Sequence, residues 1–377
     1  MEKVRLGDIC DVRDGTHDSP KYHDSGYPLV TSKNLSKGFV DFTDCNLISK
    51  EDYDKINIRS KVDVGDILMP MIGTVGNPVI VQIEPEFAIK NVALIKFYKD
   101  SRVLNKYIKV LLESNYFDRT VLSKIRGGTQ KFISLNDIRR LEIILPPISE
   151  QLEIVDRIEK VNVLIDTRKE QLEKLNELVK ARFVELFGLP VSNSKKWDTE
   201  KMKDIAPAVN YSGGFEETVW LLNLDMVEAQ TGRIIDYLYV SENEVGNSTC
   251  TFDTSNVLYS KLRPYLNKVV IPDRCGYATS EMIPLKPNPS KIERTYLAFM
   301  LRSDEFVKMI NEKVAGAKMP RVSMSDFRDF NVPVPPIELQ EQFAAFVERT
   351  DKSKLEVQKS LEKLELLKKA LMQKYFG

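Results

Sequence analysis

The chain repeats itself over most of its length, and this repeat constrains the fold more than any other feature. Pro147 and Pro336 are 189 positions apart (336 minus 147), and Gly188 and Gly377 are separated by the same distance. Upstream, "FISLNDIRRLEIILPPI" (132–148) aligns with "RVSMSDFRDFNVPVPPI" (321–337) at that spacing. The period is far longer than the solenoid unit of about 20–50 residues. The sequence therefore predicts a duplicated domain, each copy followed by its own tail.

Each tail is a long charged segment that predicts a helix. No glycine or proline occurs between Pro147 and Gly188 or between Pro336 and Gly377, and apolar residues recur at heptad spacing, as in a coiled coil. The simplest partner for each helix is the other helix, and packing of each helix on its own domain is the alternative. The residues predicted to pair the helices are Ile158, Ile165, Leu172, Leu175, Val179, Val357, Leu361, Leu364 and Leu371.

The two tails differ locally where their helices begin. A Glu-Gln pair stands at Glu150-Gln151 in the first copy and at Glu341-Gln342 in the second, two residues later relative to the prolines. This offset predicts a shifted register at the start of the second helix.

The part of each copy before its tail has the composition of a mixed domain. Short β-rich segments such as "DILMPMI" and "NVALIKFY", or "NVLYSKL" and "EMIPLK", are separated by glycine, proline, asparagine and aspartate. One helical segment lies among them in each copy, at "NKYIKVLLESNYFDRTVLSKI" and at "ERTYLAFMLRSDEFVKMINEKV". The predicted class is α+β. The predicted boundaries are 1–148 and 189–337 for the two domains, and 149–188 and 338–377 for the two helices.

Composition narrows the classes of function. The chain has 55 basic and 55 acidic residues, so no overall charge predicts coating of nucleic acid or a membrane surface. The four cysteines form no CxxC pair and only two histidines occur, so no metal site is predicted. Sparse cysteines predict a reduced, cytoplasmic setting, and no apolar segment approaches the roughly 20 residues of a membrane span.

Motifs for catalysis are absent from the sequence. It contains no GxxxxGK[ST], GxGxxG, HExxH or GxSxG pattern, and no Asn-Pro-Pro or Asp-Pro-Pro motif of amino-methyltransferases. This favours a protein that recognises a partner without performing chemistry.

Candidate DNA contacts lie in basic loops at equivalent places of the two copies. Basic side chains with nearby glycines and amides suit phosphate positioning and base-edge reading, and the alternative is an ordinary solvated surface. In the first copy the candidates are Gly127, Gly128, Thr129, Gln130 and Lys131 of "RGGTQK". In the second they are Tyr259, Lys261, Arg263, Tyr265 and Lys268 of "LYSKLRPYLNK", with Lys318 and Arg321 of "GAKMPR".

A second polar loop of the first copy is "RDGTHDSPKY" (13–22). It contains a histidine but no nucleophile motif or metal partner, so a turn that contacts a ligand or shapes the domain is favoured over catalysis. The predicted DNA contacts here, with two from the following "TSKNLSKG" segment, are Thr16, His17, Lys21, Tyr22, Lys33 and Asn34.

With these passages in view, the whole chain resembles the specificity subunit of type I restriction–modification systems. The segments that carry the resemblance are "DGTHDSPKY", "PLVTSKNLSKGFVD", "GGTQKFISLNDIRRLEIILPPISEQ", "VWLLNLDMVEAQTGRI", "VLYSKLRPYLNKV", "AGAKMPRVSMSDF" and "VPVPPIELQEQ". The Pro-Pro-x-x-Glu-Gln phrase is moderately specific alone. Two such phrases before long helices, each after a variable domain, are strongly specific.

The resemblance implies an architecture and a function. Two target recognition domains in a pseudo-two-fold arrangement are separated by two long helices that form an antiparallel coiled coil. Each domain reads one half of a split double-stranded DNA target with a spacer of fixed length. The subunit is not catalytic and has no cofactor. It recruits two methyltransferase subunits that use S-adenosylmethionine and two restriction subunits that use ATP and magnesium.

Two other classes of function compete with this interpretation. One is a methylating or cutting enzyme in a single chain, against which the missing motifs argue. The other is a coiled-coil scaffold or a DNA-binding module outside restriction–modification. Salt-dependent binding to random-sequence DNA would count against a scaffold that does not bind DNA.

Overall fold

A computed structural model of the chain describes residues 2–72, 76–84, 86–121, 132–314 and 319–377. The chain forms two compact units. The first consists of Met1–Lys169 together with Lys359–Gly377, and the second of Glu170–Gln358. The limits of the units therefore fall inside the two tail segments, and the first unit contains both ends of the chain.

The first unit is built from three small sheets. Their strand orders are β1-β9, β2-β8-β5-β6 and β4-β3-β7, with β3 and β7 parallel and the other pairs antiparallel. The strands are β1 (Glu2–Arg5), β2 (Asp11–Asp14), β3 (Tyr27–Val30), β4 (Asn46–Ile48), β5 (Ile67–Pro70), β6 (Val79–Ile80), β7 (Ala88–Ile89), β8 (Val92–Lys96) and β9 (Glu142–Leu145).

Helices cover these sheets and complete the first core. They are α1 (Leu6–Ile9), α2 (Lys50–Ser60), α3 (Asn105–Leu112), α4 (Asn115–Thr120) and α5 (Leu135–Arg139), followed by the long α6 (Ile148–Phe187). The largest core cluster joins the inner residues of β5 and β8 to Tyr107 and Phe117, to Ile158 near the start of α6, and to Met372 and Phe376 at the end of the chain. The last residues of the chain thus complete the first core.

The second unit repeats this plan. Its sheets have the orders β10-β18, β12-β11-β16-β13 and β15-β14-β17, and β11 and β16 are the parallel pair. The strands are β10 (Thr199–Lys201), β11 (Thr218–Leu222), β12 (Leu238–Ser241), β13 (Thr249–Phe252), β14 (Val257–Ser260), β15 (Val269–Val270), β16 (Gly276–Thr279), β17 (Met282–Leu285) and β18 (Asn331–Pro333).

The short helices of the second unit are α7 (Met202–Ile205), α8 (Arg294–Arg302), α9 (Asp304–Glu312) and α10 (Met324–Arg328). The long α11 (Ile337–Phe376) follows and, like α6, belongs in part to each unit. The main core of the second unit contains Phe183 and Phe187 from the end of α6 and Phe343 from the start of α11. These three rings pack on one another, and Phe183 and Phe187 also pack on Tyr296, with centroid distances of 4.7–5.7 Å.

The duplication extends to single hydrogen bonds. Tyr107 Oη donates to the carbonyl of Ile144 at 2.9 Å, and Tyr296 Oη donates to the carbonyl of Pro333 at 3.0 Å. Tyr107 thus connects α3 to β9, and Tyr296 connects α8 to β18, and each of these strands directly precedes a long helix. Donors and acceptors are both 189 positions apart, so the two copies fold by the same contacts.

Both long helices are 40 residues long, about 60 Å at 1.5 Å per residue. Ion pairs between residues four positions apart support their exposed faces, such as Asp156–Lys160 and Glu348–Lys352. Gly188 ends α6 with a φ of +75°, where a side chain would be strained. The α+β class with two long helices is confirmed. The predicted domain limits stay predictions, and each helix begins one residue before the position expected.

The helices contact each other in an antiparallel sense within each unit. In the first unit Arg157 donates to Tyr375 Oη at 3.1 Å, and Arg168 donates to Ser360 Oγ at 3.2 Å. Of the residues predicted to pair the helices, the buried ones are Ile158, Ile165, Val179 and Leu361, and the half-buried ones are Leu172, Leu175, Val357, Leu364 and Leu371.

The ends of the helices pack on globular cores as well as on each other. Ile158 lies in the core of the first unit and Val179 in the core of the second, so α6 contributes to both. The two arrangements expected from the sequence, pairing of helices and packing on a domain, therefore coexist.

Two local expectations were wrong. The shifted register at the start of the second helix does not occur, because Gln340, not Gln342, takes the place of Gln151 at the unchanged spacing of 189. Each helical segment expected to be continuous is two helices, since Ser114 and Ser303 stand between α3 and α4 and between α8 and α9. Ser303 Oγ accepts from the backbone N–H of Phe306 as an N-cap.

Candidate nucleic-acid interface

In the second unit the structure joins the two basic segments found in the sequence. Residues after β14 form a bridge with the segment before α10, at Leu262 and Arg321. The backbone N–H of Arg263 donates to the carbonyl of Pro320 at 2.8 Å, and that of Val322 donates to the carbonyl of Lys261 at 2.9 Å. Side chains about 60 positions apart in sequence therefore belong to one surface.

The loop that follows is held in a defined shape. Arg263 and Asn267, on either side of a short 3-10 helix (Pro264–Leu266), both adopt left-handed backbone conformations with φ of 49°. Asn267 donates to the carbonyl of Arg302 at 2.9 Å, and Gln230 donates to the carbonyl of Tyr265 at 2.9 Å. These bonds fix a loop from which the Arg263 and Tyr265 side chains extend into solvent.

The basic side chains of this surface differ in whether they are free to contact a ligand. Arg321 forms an ion pair with Glu281 (Nη2–Oε1, 2.9 Å), and the guanidinium holds the pKa of that carboxyl below its usual value. Lys268 points inward and donates to the carbonyl of Leu224 at 2.6 Å, and burial lowers its pKa. Arg263 is exposed and has no side-chain hydrogen bond within the described residues, so it is the most available cation of this loop.

Two predicted contacts are buried, and this corrects their expected role. Tyr259 is only 4 % exposed and stacks on Phe327 in the core of the second unit. Asn34 is 6 % exposed, accepts from the backbone N–H of Thr31 and donates to the carbonyl of Asp41. Both side chains shape their loops from within, and neither reaches the surface in this structure.

In the first unit the loop after β2 is fastened through His17. The ring Nε2 lies 2.8 Å from Asp14 Oδ2, and Nδ1 lies 2.8 Å from Asn91 Oδ1. The hydrogen bond to Asn91 is the largest cause of a raised pKa for the imidazole, and Asp14 adds to it. His17 therefore fixes the loop to the start of β8.

The other predicted residues of this surface have separate positions. Thr16 bridges Lys90 through its backbone, and its hydroxyl accepts from the N–H of Asp18 at 3.1 Å. Lys21, Tyr22 and Lys33 are exposed. The loop thus combines an inner fastening with outer cationic and aromatic side chains.

Six predicted residues lie outside the described part of the chain, namely Gly127, Gly128, Thr129, Gln130, Lys131 and Lys318. Their flanks are informative, because Ile72 bridges Phe132 in the first unit as Leu262 bridges Arg321 in the second. Both units therefore use the same backbone junction, and the residues at that junction differ.

No sequence pattern marks the residues that pair with the side chains of these loops. Glu281 lies 40 positions from Arg321, Asn91 lies 74 positions from His17, and Gln230 lies 35 positions from Tyr265. No motif marks them, since each acts through a tertiary contact alone. In the described ranges no three His, Cys, Asp or Glu side chains are grouped as a metal site would require.

Comparison with known proteins identifies the class. The family described as type I restriction modification DNA specificity domain matches residues 1–177 and 223–366. The chain therefore belongs to this family of type I restriction–modification specificity proteins. The family expected from the sequence is confirmed, and with it a DNA-binding protein with two target recognition domains.

Individual relatives agree with this family. The type I restriction enzyme EcoDI specificity subunit of Escherichia coli is 22% identical over 316 residues, which is 73% of this chain and 70% of that protein. The putative type I restriction enzyme MjaX specificity subunit of Methanocaldococcus jannaschii is 22% identical over 401 aligned positions, covering 98% of this chain and 91% of the relative.

Solved structures share the fold over the full chain. The S subunit of a type I restriction–modification system from M. genitalium superposes with a TM-score of 0.58 at 16% identity, covering 100% of this chain and 96% of that one. A chain from a study of complex assembly and conformational transition of the type I R-M system gives 0.63 at 17% identity, covering 100% and 97%. No helix among the described residues is both long and apolar enough to span a bilayer.

Proposed function

We propose that this chain reads a bipartite double-stranded DNA target with a spacer of fixed length, one half-target per unit, and performs no chemistry itself. The observation that carries the proposal is the shared backbone junction, Ile72–Phe132 in one unit and Leu262–Arg321 in the other. The same scaffold presents an aromatic residue in the first unit and a cation in the second. Equal scaffolds with unequal loops suit two different half-targets.

A duplicated chain has an advantage over a homodimer for this task. A symmetric dimer presents the same surface twice, and its two-fold symmetry is mirrored by a palindromic target. Here the hydrogen bonds of Tyr107 and Tyr296 keep the two frameworks alike while the loop residues differ. Each unit is then free to read its own sequence.

Partner subunits would bind the long helices, in addition to DNA on the loops. Leu178 on α6 and Leu367 on α11 are 51% and 46% exposed and lie 189 positions apart. An exposed leucine at the same place in each copy fits two identical partners. We infer two methyltransferase subunits, and two restriction subunits in the full complex, in the cytoplasm.

The catalytic cofactors belong to those partners in this proposal. S-adenosylmethionine would be bound by the methyltransferase subunits, and ATP and magnesium by the restriction subunits. The purified chain alone should neither methylate, cut DNA nor hydrolyse ATP. Turnover by the chain that is lost on a point change within it would contradict this division of labour.

Methylome sequencing tests the proposed reading directly. A host that expresses the chain with its methyltransferase should show one bipartite methylated motif, absent when the chain is deleted. Exchanging residues 1–145 for the matching domain of a relative should change one half of the motif and leave the other half intact. A folded chimera that changes both halves together would contradict one half-target per unit.

A further inference from the structure

We propose that the outer edge of β12 in the second unit binds an extended, basic segment of a partner protein by strand addition. This edge ends the four-stranded sheet β12-β11-β16-β13, and no strand or bridge of the described residues pairs with its outer side. An open strand edge offers unpaired backbone groups to another chain. The proposal does not depend on DNA reading.

The pattern of backbone bonds shows which groups face outward. Glu242 N donates to Glu217 O at 3.1 Å, so the pairs Val219–Val240 and Leu221–Leu238 of the same register are also hydrogen-bonded. Tyr239 lies between those pairs, opposite Trp220. Its N–H and C=O therefore point away from β11, toward the open edge.

The first unit shows how the same edge is used within one chain. There β4 pairs with β3 as β12 pairs with β11, and Leu47 stands opposite Pro28. The outward carbonyl of Leu47 accepts from the N–H of His23 at 3.0 Å, so the chain's own segment covers the edge. The second unit has the same edge without this cover among its described residues.

Exposed apolar and aromatic side chains lie along the open edge, on both faces of the strand. Ile235, Tyr237, Leu238 and Tyr239 are 55%, 43%, 37% and 48% exposed. The Arg274 guanidinium lies 5.0 Å from the Tyr237 ring centroid and donates to Tyr239 Oη. Aromatic and arginine side chains of this kind dominate binding energy at protein interfaces.

Charge decides between protein and DNA as the occupant. The segments lining the edge, 214–217, 235–246 and 271–277, contain six acidic residues and one basic residue, Arg274. That basic residue is already paired with Asp273 through two hydrogen bonds of 2.9 Å. Such a surface repels phosphates and attracts lysine and arginine. The edge therefore fits an extended segment in which apolar and basic residues alternate.

The test uses the full chain and a labelled peptide of about six residues, the usual strand length, with alternating Val and Lys. We expect saturable binding by fluorescence anisotropy. A Val/Glu peptide and a backbone N-methylated Val/Lys peptide should bind at least about tenfold more weakly, because they lose charge attraction or main-chain bonds.

Two variants separate strand addition from simple contact. Tyr239→Pro removes an outward N–H without breaking the β11 ladder, a position where edge strands tolerate proline, and it should abolish binding. Tyr239→Ala keeps the N–H and should retain part of it. If the proline variant fails to fold, the charge reversal Asp236→Lys with Glu242→Lys leaves the backbone intact and should favour the Val/Glu peptide instead.

Three results would overturn the proposal. The first is equal binding of all peptides. The second is loss of affinity for a short random-sequence DNA duplex in Tyr237→Ala or Tyr239→Ala, which would make the edge a DNA surface. The third is a dimer of the chain in sedimentation that Tyr239→Pro dissociates, which would make a second copy the occupant.

Discussion

Gln151 and Gln340 make the same three hydrogen bonds in the two units. Each side chain donates to the carbonyl just before its helix, at Pro146 or Pro335, over 2.8 or 2.7 Å. Each also donates to one backbone carbonyl and accepts one N–H of the segment before α3 or α8. Both are fully buried. The glutamine thus fixes the start of each long helix to the globular part of its unit.

This relationship predicts which glutamine matters in "ELQEQ". Gln340→Ala leaves one buried and two partly buried backbone groups without their side-chain partner and should lower the free energy of unfolding by about 2–4 kcal/mol. Gln342→Ala is the matched control, since Gln342 is exposed and should change stability by less than about 0.5 kcal/mol. Urea unfolding followed by circular dichroism measures both. Equal effects of the two variants would contradict the assigned register.

The burial of Phe376 predicts that the stability of the first unit depends on the last residues of the chain. Phe376 is buried in the first core, 5.5 Å from the Tyr107 ring, and its counterpart Phe187 is buried in the second core, 4.7 Å from Tyr296. Phe376→Ala should destabilise by about 3 kcal/mol, as for large-to-small core changes. The loss should fall on the first unit.

Hydrogen exchange distinguishes the two units. Phe376→Ala should speed amide exchange in α3 (Asn105–Leu112) and spare α8 (Arg294–Arg302), and Phe187→Ala should do the reverse. Faster exchange in both helices with either variant would show that the cores do not respond separately.

Features set by residues close together in the sequence were predictable, and features set by contacts between distant residues were not. Heptad spacing and the two Pro-Pro phrases are local patterns, and they were sufficient for α6 and α11. The role of Gln340 has no local signal, because the Glu341-Gln342 pair is more similar in sequence to Glu150-Gln151, and only tertiary contacts distinguish the buried glutamine. Packing of Phe376 on Tyr107 joins positions 269 apart, a separation over which no local pattern extends.

The candidate DNA surface divides in the same way. Charge and glycine content indicated the loops, and the structure joins two of them at Leu262 and Arg321. Burial of Tyr259 is not predictable from its basic neighbours in the sequence. In β14 it stands opposite Ile283 of β17, and both side chains belong to the core of the second unit. Which cations are already paired depends on tertiary partners such as Glu281.

The fastening of His17 predicts a pH dependence of the first unit. Hydrogen bonds to Asn91 and Asp14 raise the imidazole pKa in the folded state above its ordinary value of 6.5. Arg59, which also pairs with Asp14, opposes this shift. The stabilisation is therefore fully present below about pH 6.5 and is lost as pH rises through the folded pKa.

Thermal unfolding with pH tests this sign. The difference in Tm between the wild-type chain and His17→Gln should be larger at pH 6 than at pH 8. His23→Gln is the control, since His23 is the second of only two histidines. A His17 difference that grows with pH would mean that the neutral ring is the stabilising form.

The ion pair between Glu281 and Arg321 predicts a gain in DNA affinity when it is broken. Arg321 is half exposed and sits at the junction of the two basic loops, and the Glu281 carboxylate neutralises it. Glu281→Gln removes one negative charge and releases the guanidinium toward phosphate. Each additional phosphate contact steepens the dependence of log K on log salt by about 0.9. We therefore expect Glu281→Gln to bind all sequences more tightly at low salt, with a slope steeper by about 1, and Arg321→Ala to remove that gain.

Glu200→Gln is the matched control, because it breaks a similar pair with Lys291 (2.7 Å) and changes net charge equally. Fluorescence anisotropy against random and cognate duplexes over a salt series measures all three variants. If Glu200→Gln steepens the slope as much as Glu281→Gln, the effect is one of net charge, and Arg321 is not at the DNA surface.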